Sequence, residues 1–104
     1  MKRFDVWLVS LDPTIGSEIC KTRPAVIVSP DALNEHLRTV IVVPLTTGRA
    51  YPFRPPTKVQ GVAGVAATDQ IRTVDKRRLV KCIGTLDADT AAELLQALAE
   101  LFAP

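Results

Sequence analysis

Two short stretches of this chain concentrate residue types that can act on a charged ligand. The first is Gly16-Ser17-Glu18-Ile19-Cys20-Lys21-Thr22-Arg23-Pro24-Ala25, where a polar loop feeds an arginine directly into an apolar run. Pro24 fixes its own φ and biases Arg23 toward an extended conformation. A guanidinium on such a backbone offers a permanent charge and a planar fork of donors, matched to oxyanions. The same residue has a purely structural reading, an ion pair with Glu18 or Asp12 that pins the loop. The second stretch is Pro44-Leu45-Thr46-Thr47-Gly48, with two hydroxyls where an apolar run ends in a glycine turn. These threonines either orient a ligand or satisfy the turn itself.

Other chemistries lack their residues. His36 is the only histidine and sits in a polar helical stretch, so a two-histidine acid/base pair within one chain is impossible. There is no HExxH, no phosphate-binding P-loop and no GxGxxG. Cys20 and Cys82 are isolated, without metal-ligand spacing. They read as free thiols of a reducing compartment, with a disulfide left open. No cofactor and no metal ion is expected.

The elements that must position these residues are mostly strands. Asp5 to Leu11 alternates and reads as a first strand, and Asp12 to Thr22 as a loop broken by Pro13 and Gly16. Ala25 to Ser29 reads as a buried strand, Ala32 to Leu37 as a short helix, and Thr39 to Leu45 as a central strand. Tyr51 to Pro56 holds three prolines and reads as a loop or a sheet edge. Short strands are expected at Thr57 to Val59, Gly64 to Ala67 and Gln70 to Val74. A basic turn, Asp75 to Arg78, leads into a last strand from Leu79 to Leu86. The end is helical, started by Asp87 or by a Thr90/Glu93 capping box. Its stripe of Ala91, Leu94, Leu95, Leu98, Leu101 and Phe102 faces a sheet or a second subunit. The fold class is therefore mainly β with short helices, a small bent sheet or barrel with a closing C-terminal helix.

Length and charge agree with this. The chain has 104 residues, one domain spanning 1–104, with 47% hydrophobic and 23% charged residues. Net charge is +2, but residues 1–86 carry +6 and residues 87–104 carry −4. A basic body favours polyanions. The longest apolar run, Val40 to Val43, is stopped by Pro44, so no membrane segment is expected and cytoplasmic localisation is the default.

In order, DVWLVSLDPT, GSE, KTRPAVIVSP, VVPLTT, YPF and DQIRTVDKRRL resemble the MazF/PemK toxins of bacterial toxin–antitoxin systems. The resemblance runs from about residue 4 to the terminal helix. It implies a small SH3-like barrel that forms a homodimer. It also implies a metal-independent, sequence-selective endoribonuclease on single-stranded RNA, held inactive by a cognate antitoxin with an acidic C-terminal segment. By position, Arg23 and Thr46 correspond to the family's catalytic arginine and threonine. Glu18 corresponds to an acidic loop residue, a candidate general base or a residue that positions Arg23. Asp69 and Gln70 match positions that contact RNA bases in some members. Attack by the substrate's own 2′-OH would leave a 2′,3′-cyclic phosphate and a 5′-OH.

Substrate binding is expected to extend over Ser17, Thr47, Tyr51, Phe53, Arg72 and Lys76. Arg72, Lys76, Arg77, Arg78 and Lys81 against Asp75 give a patch of +4, suited to phosphates. Tyr51 and Phe53 suit base stacking, whereas Trp7, inside a strand, is expected in the core. The chain departs from the family pattern at Phe4, where many members have glycine. It also departs in Glu18 to Thr22, where many have a glutamine and a glycine. Two other readings share the fold. One is a CcdB-like gyrase poison, although the chain ends Leu101-Phe102-Ala103-Pro104 and lacks a Trp-Gly-Ile tail. The other is a non-catalytic nucleic-acid-binding barrel.

Overall fold

Strand register places the functional face. In the computed structural model, which describes residues 1–104, Val6, Val26 and Val43 lie opposite one another on three antiparallel strands. These are β1 (Asp5–Ser10), β2 (Thr22–Ile27) and β3 (Thr39–Thr46). Side chains alternate between the faces of a strand. Val6, Val26, Val43 and Leu45 therefore build one core, and Val9, Ala25, Ile27, Val40 and Val42 build another on the opposite face. Burial on both faces explains why β2 and β3 read as continuous apolar runs.

The remaining elements curl this sheet into a partial barrel. A short helix, α1 (Asp31–His36), joins β2 to β3. The hairpin β4 (Pro56–Val59) and β5 (Val62–Ala66) pairs through β5 with the end of β3, and β6 (Arg72–Asp75) pairs with the start of β3. β7 (Leu79–Thr85) pairs with β1. The spatial order is β4-β5-β3-β2-β1-β7, with β6 beside β3. The ends approach each other without a ladder: the Gln60 side-chain amide donates to the Ile83 carbonyl. The helix α2 (Ala88–Phe102) covers the first core with Ala91 and Leu94. Asp87 caps it, its carboxylate accepting from the Thr90 N–H at 2.7 Å, so the Thr90/Glu93 start is not used. No helix is long and apolar enough to cross a membrane.

One boundary that differs from the sequence reading, and one break in pairing, shape the site. β2 begins at Thr22 rather than Ala25, because Thr22 and Arg23 pair with Ser10 and Val9 of β1. Arg23 thus lies inside a strand. On the other side, the β2–β3 ladder stops at Ala25 opposite Pro44. Pro24 and Pro44 have no N–H to give a ladder, so the two strands part at this point. β3 turns its last residues, Leu45 and Thr46, to β5 instead. Gly64 of β5 permits this close approach, since a Cβ there would stand 2.8 Å from the Thr46 carbonyl oxygen.

Phe4 and Lys21 both adopt positive φ, 72° and 67°. That is the left-handed region where glycine is relaxed and a side chain costs about 1 kcal/mol. A glycine in place of Phe4, as the resemblance leads one to expect, would be relaxed at this φ.

Candidate functional site

Arg23 and Thr46 each lie two residues beyond the point where β2 and β3 part. Continuing the Ala25–Pro44 register by two residues sets Arg23 opposite Thr46. Opposed residues of an antiparallel pair project to the same face. That face is the one whose core contains Val9, Ala25 and Val42, so a packed apolar layer supports the site from below. Arg23 is exposed. Its Nε donates to the Cys20 carbonyl at 3.3 Å, which orients the guanidinium and leaves both Nη groups without a protein partner. The ion pair with Glu18 or Asp12 that would make Arg23 structural is not formed: the chain's salt bridges are Arg54–Asp69 and Arg77–Asp75.

The loop beside Arg23 is held in a defined shape. Glu18 closes a turn, its N–H donating to the Ile15 carbonyl and its Oε1 accepting from the Ile15 N–H. Glu18 makes no hydrogen bond or ion pair with Arg23, and its Oε2 has no protein partner. Gln70 reaches across to the same loop: its Oε1 accepts from the Ile19 N–H at 2.7 Å and its Nε2 donates to the Ser17 carbonyl. Ser17, Glu18, Pro44, Asp69, Gln70 and Arg72 line one cleft of about 550 Å³. Thr46, Thr47 and Pro24 border a smaller hollow of about 190 Å³.

The expected binding residues divide into three groups. Ser17, Gln70, Arg72 and Asp69 do converge on the cleft with Glu18. Gln70, Arg72 and Asp69, however, already hold protein partners. Arg72 Nη1 donates to the Leu11 carbonyl at 3.1 Å. Asp69 accepts from Arg54 through both carboxylate oxygens, each at 2.8 Å. These bonds hold the Asp69 carboxyl below its ordinary pKa. Lys76 lies elsewhere, at the start of β3, in a separate cleft with His36, Arg38 and Arg77. Seven residues of strand, about 23 Å at ~3.3 Å each, separate that end from Thr46. The basic patch as a whole is largely bonded to protein: Lys76 to the Asn34 carbonyl, Arg77 to Asp75, and Arg78 to the carbonyls of Ser10 and Asp12.

The aromatic loop is the third group. Tyr51 and Phe53 are 45% and 46% exposed, and their rings stack on each other with centroids 5.3 Å apart and 3° between planes. Arg49, which the sequence reading did not single out, lies over the Tyr51 ring at 5.9 Å. The alternation Arg49, Tyr51, Phe53 was its available signal. Trp7 is half-buried and packs against the second core, so it is not free to stack on a base. Cys20 and Cys82 are both free thiols.

The chain as a whole has counterparts among known proteins. A family model described as "PemK-like, MazF-like toxin of type II toxin-antitoxin system" matches residues 2–102. The chain belongs to the PemK/MazF toxin family. Endoribonuclease MazF9 of Mycobacterium tuberculosis is 37% identical over 109 residues, with 94% of this chain and 92% of the relative covered. Endoribonuclease PemK of Escherichia coli is 43% identical over 83 residues, 74% of this chain. There the match spans 62% of the relative's length. Among solved structures, MazF from Deinococcus radiodurans superposes with a TM-score of 0.86 at 29% identity, covering 97% of this chain and 94% of that one. A mycobacterial endoribonuclease in complex with its cognate antitoxin gives 0.84 at 28% identity, covering 100% and 97%. The shared architecture is a curled, mostly β half-barrel with a C-terminal helix.

Proposed function

We propose that this chain is the toxin of a type II toxin–antitoxin pair and cleaves single-stranded RNA at chosen sequences without a metal ion. The observation that carries the reading is Arg23: an exposed guanidinium with both Nη groups unbonded, opposite Thr46 where two strands part. Support also comes from family membership and from relatives named as endoribonucleases.

The chemistry follows from the residue types. The RNA's 2′-OH attacks the adjacent phosphate, so the protein supplies no nucleophile. Negative charge gathers on the phosphate oxygens as the pentacoordinate state forms. Arg23 meets that charge with fixed donors, the kind of stabilisation that often dominates catalysis. Thr46 hydrogen-bonds the scissile phosphate or the 2′-OH and orients it. The partnerless Oε2 of Glu18 is the candidate base for the 2′-OH proton. The products are a 2′,3′-cyclic phosphate and a 5′-OH.

Ser17 and Thr47 lie beside the reacting groups, and the Tyr51–Phe53 pair offers a stacking platform for unpaired bases. Asp69, Gln70 and Arg72 shape the cleft in which flanking nucleotides lie. Lys76 would meet only a substrate extended along β3. The chain acts as a homodimer in the cytoplasm, and the acidic C-terminal segment of an antitoxin competes with RNA for its basic body.

The test is direct. A long single-stranded RNA is incubated with the protein in EDTA, beside Arg23→Ala and Thr46→Ala, and the ends are mapped. Discrete cuts with 5′-OH ends, lost in Arg23→Ala and weakened in Thr46→Ala, are expected. Intact RNA with all three proteins folded would overturn the reading.

A further inference from the structure

The bonds made by Arg78 and Arg72 give these residues a role that a count of basic charge does not. The β1–β7 ladder ends where Val9 meets Leu79. Just upstream of Leu79, the chain turns through Lys76–Arg78, and the Leu79 N–H donates back to the Lys76 carbonyl. The backbone therefore gives β1 no further donors on this edge. The side chain of Arg78 supplies them instead, its Nη1 donating to the carbonyls of Ser10, at 3.1 Å, and Asp12. Between these two, the Leu11 carbonyl takes Nη1 of Arg72 at 3.1 Å, and the Leu11 N–H donates to the Lys21 carbonyl at 2.9 Å. Two guanidinium groups thus grip three successive carbonyls. Those carbonyls are the root of the Asp12–Lys21 loop, which carries Glu18 and leads into Arg23.

We propose that Arg78, with Arg72 beside it, is a positioning residue for cleavage: it fixes the loop root and so places Glu18 and Arg23 against Thr46. This rests on the reading of the site as an RNA-cleaving one. The requirement is for arginine rather than for charge. A guanidinium fixes the directions of its donors, whereas an ammonium is a point charge on a flexible stem. Displacing a reacting group by about 1 Å from its productive place costs on the order of a hundredfold in rate.

Arg78→Lys in the full-length protein tests the proposal, because it keeps the charge and removes the fork. Three quantities are read. They are the single-turnover rate on saturating single-stranded RNA, the affinity for a 2′-deoxy copy of the cut sequence as salt is varied, and hydrogen exchange of the Leu11 and Ile19 amides. The expected result is a rate about a hundredfold lower, an unchanged affinity and salt slope, and faster exchange. A weaker affinity at an unchanged saturating rate, with the salt slope unmoved because the charge is kept, would make Arg78 a substrate contact and overturn the proposal. An unchanged rate with faster exchange would also overturn it, leaving a fold contact only. Should the wild-type protein itself cut no RNA, the reading of the site fails and the positioning role with it. Exchange in the variant would then still report separately whether the clamp holds the loop. Where Arg78→Lys does not fold, Arg72→Lys is read by the saturating single-turnover rate and the two amide exchange rates, because Arg72 also lines the cleft.

Discussion

Arg23 and Arg78 are the same residue type on the two sides of β1: Arg23 pairs with Val9 from β2, and Arg78 directly precedes Leu79, which pairs with Val9 from β7. Their bonds are opposite. Arg78 donates to backbone carbonyls at the loop root, while Arg23 gives only Nε to the protein and keeps both Nη groups open. The contrast shows that a cation's role is decided by what already occupies its donors. Position in a basic run says little. Guanidinium groups satisfied by carbonyls stiffen a frame, and one left open at a parted strand pair is available to a developing oxyanion.

The sharpest way to break this contrast is to remove the open guanidinium. Arg23→Ala should lower the cleavage rate by about 10²–10³-fold while leaving the thermal melt close to wild type, because Arg23 holds no carboxylate and no core contact. A large loss of melting temperature would place Arg23 in the frame beside Arg78. Glu18→Gln comes next. A general base contributes roughly 10²–10⁴-fold, and the amide oxygen of glutamine can still accept from the Ile15 N–H. A fall near a hundredfold is therefore expected with the turn intact. A loss under about tenfold would remove Glu18 from the chemistry and leave it as the turn's organiser. Thr46→Ala should cost less, about tenfold, as the loss of one neutral hydrogen bond of about 1.4 kcal/mol implies. Thr46→Ser should restore most of the rate, and failure of that rescue would point to the methyl group's packing instead of the hydroxyl.

Much of the frame was legible because periodicity reports burial. The alternation in β1, the double-faced apolar runs of β2 and β3 and the Ala91, Leu94 and Leu98 part of the α2 stripe appear where the residues suggested, whereas Leu101 and Phe102 at its end are exposed. The start of β2 was not legible, since Thr22 and Arg23 are polar and join the sheet only through pairing with β1. The motif around Pro24 did set Arg23 where the loop meets the apolar run, although Arg23 itself lies inside β2. What composition could not say is why β2 and β3 part beside Arg23, which depends on Pro24 and Pro44 standing on adjacent strands where the ladder ends. The roles of the basic segment were also hidden. Local charge cannot reveal that Arg72 and Arg78 reach carbonyls more than sixty residues away.

The smallest predicted effect concerns the second ion-paired arginine, Arg54, which links the aromatic loop to the turn at Asp69. The pair is bidentate, but its side chains are 25% and 39% exposed. Solvent screening then limits its contribution to about 0.5–1 kcal/mol. Asp69→Asn should therefore lower stability only slightly. The pH dependence identifies the cause. The Arg54 hydrogen bonds depress the Asp69 pKa in the folded protein. The contribution is then full above the unfolded carboxyl's pKa of about 3.9 and fades as pH falls through the lower folded value. Melts of wild type and Asp69→Asn should differ at pH 7 and converge as the solution is acidified below about pH 4. A difference that persists in acid would mean that asparagine disturbs the Thr68–Gln70 turn itself. Asp69 would then belong to the frame for its shape, and its charge would be incidental.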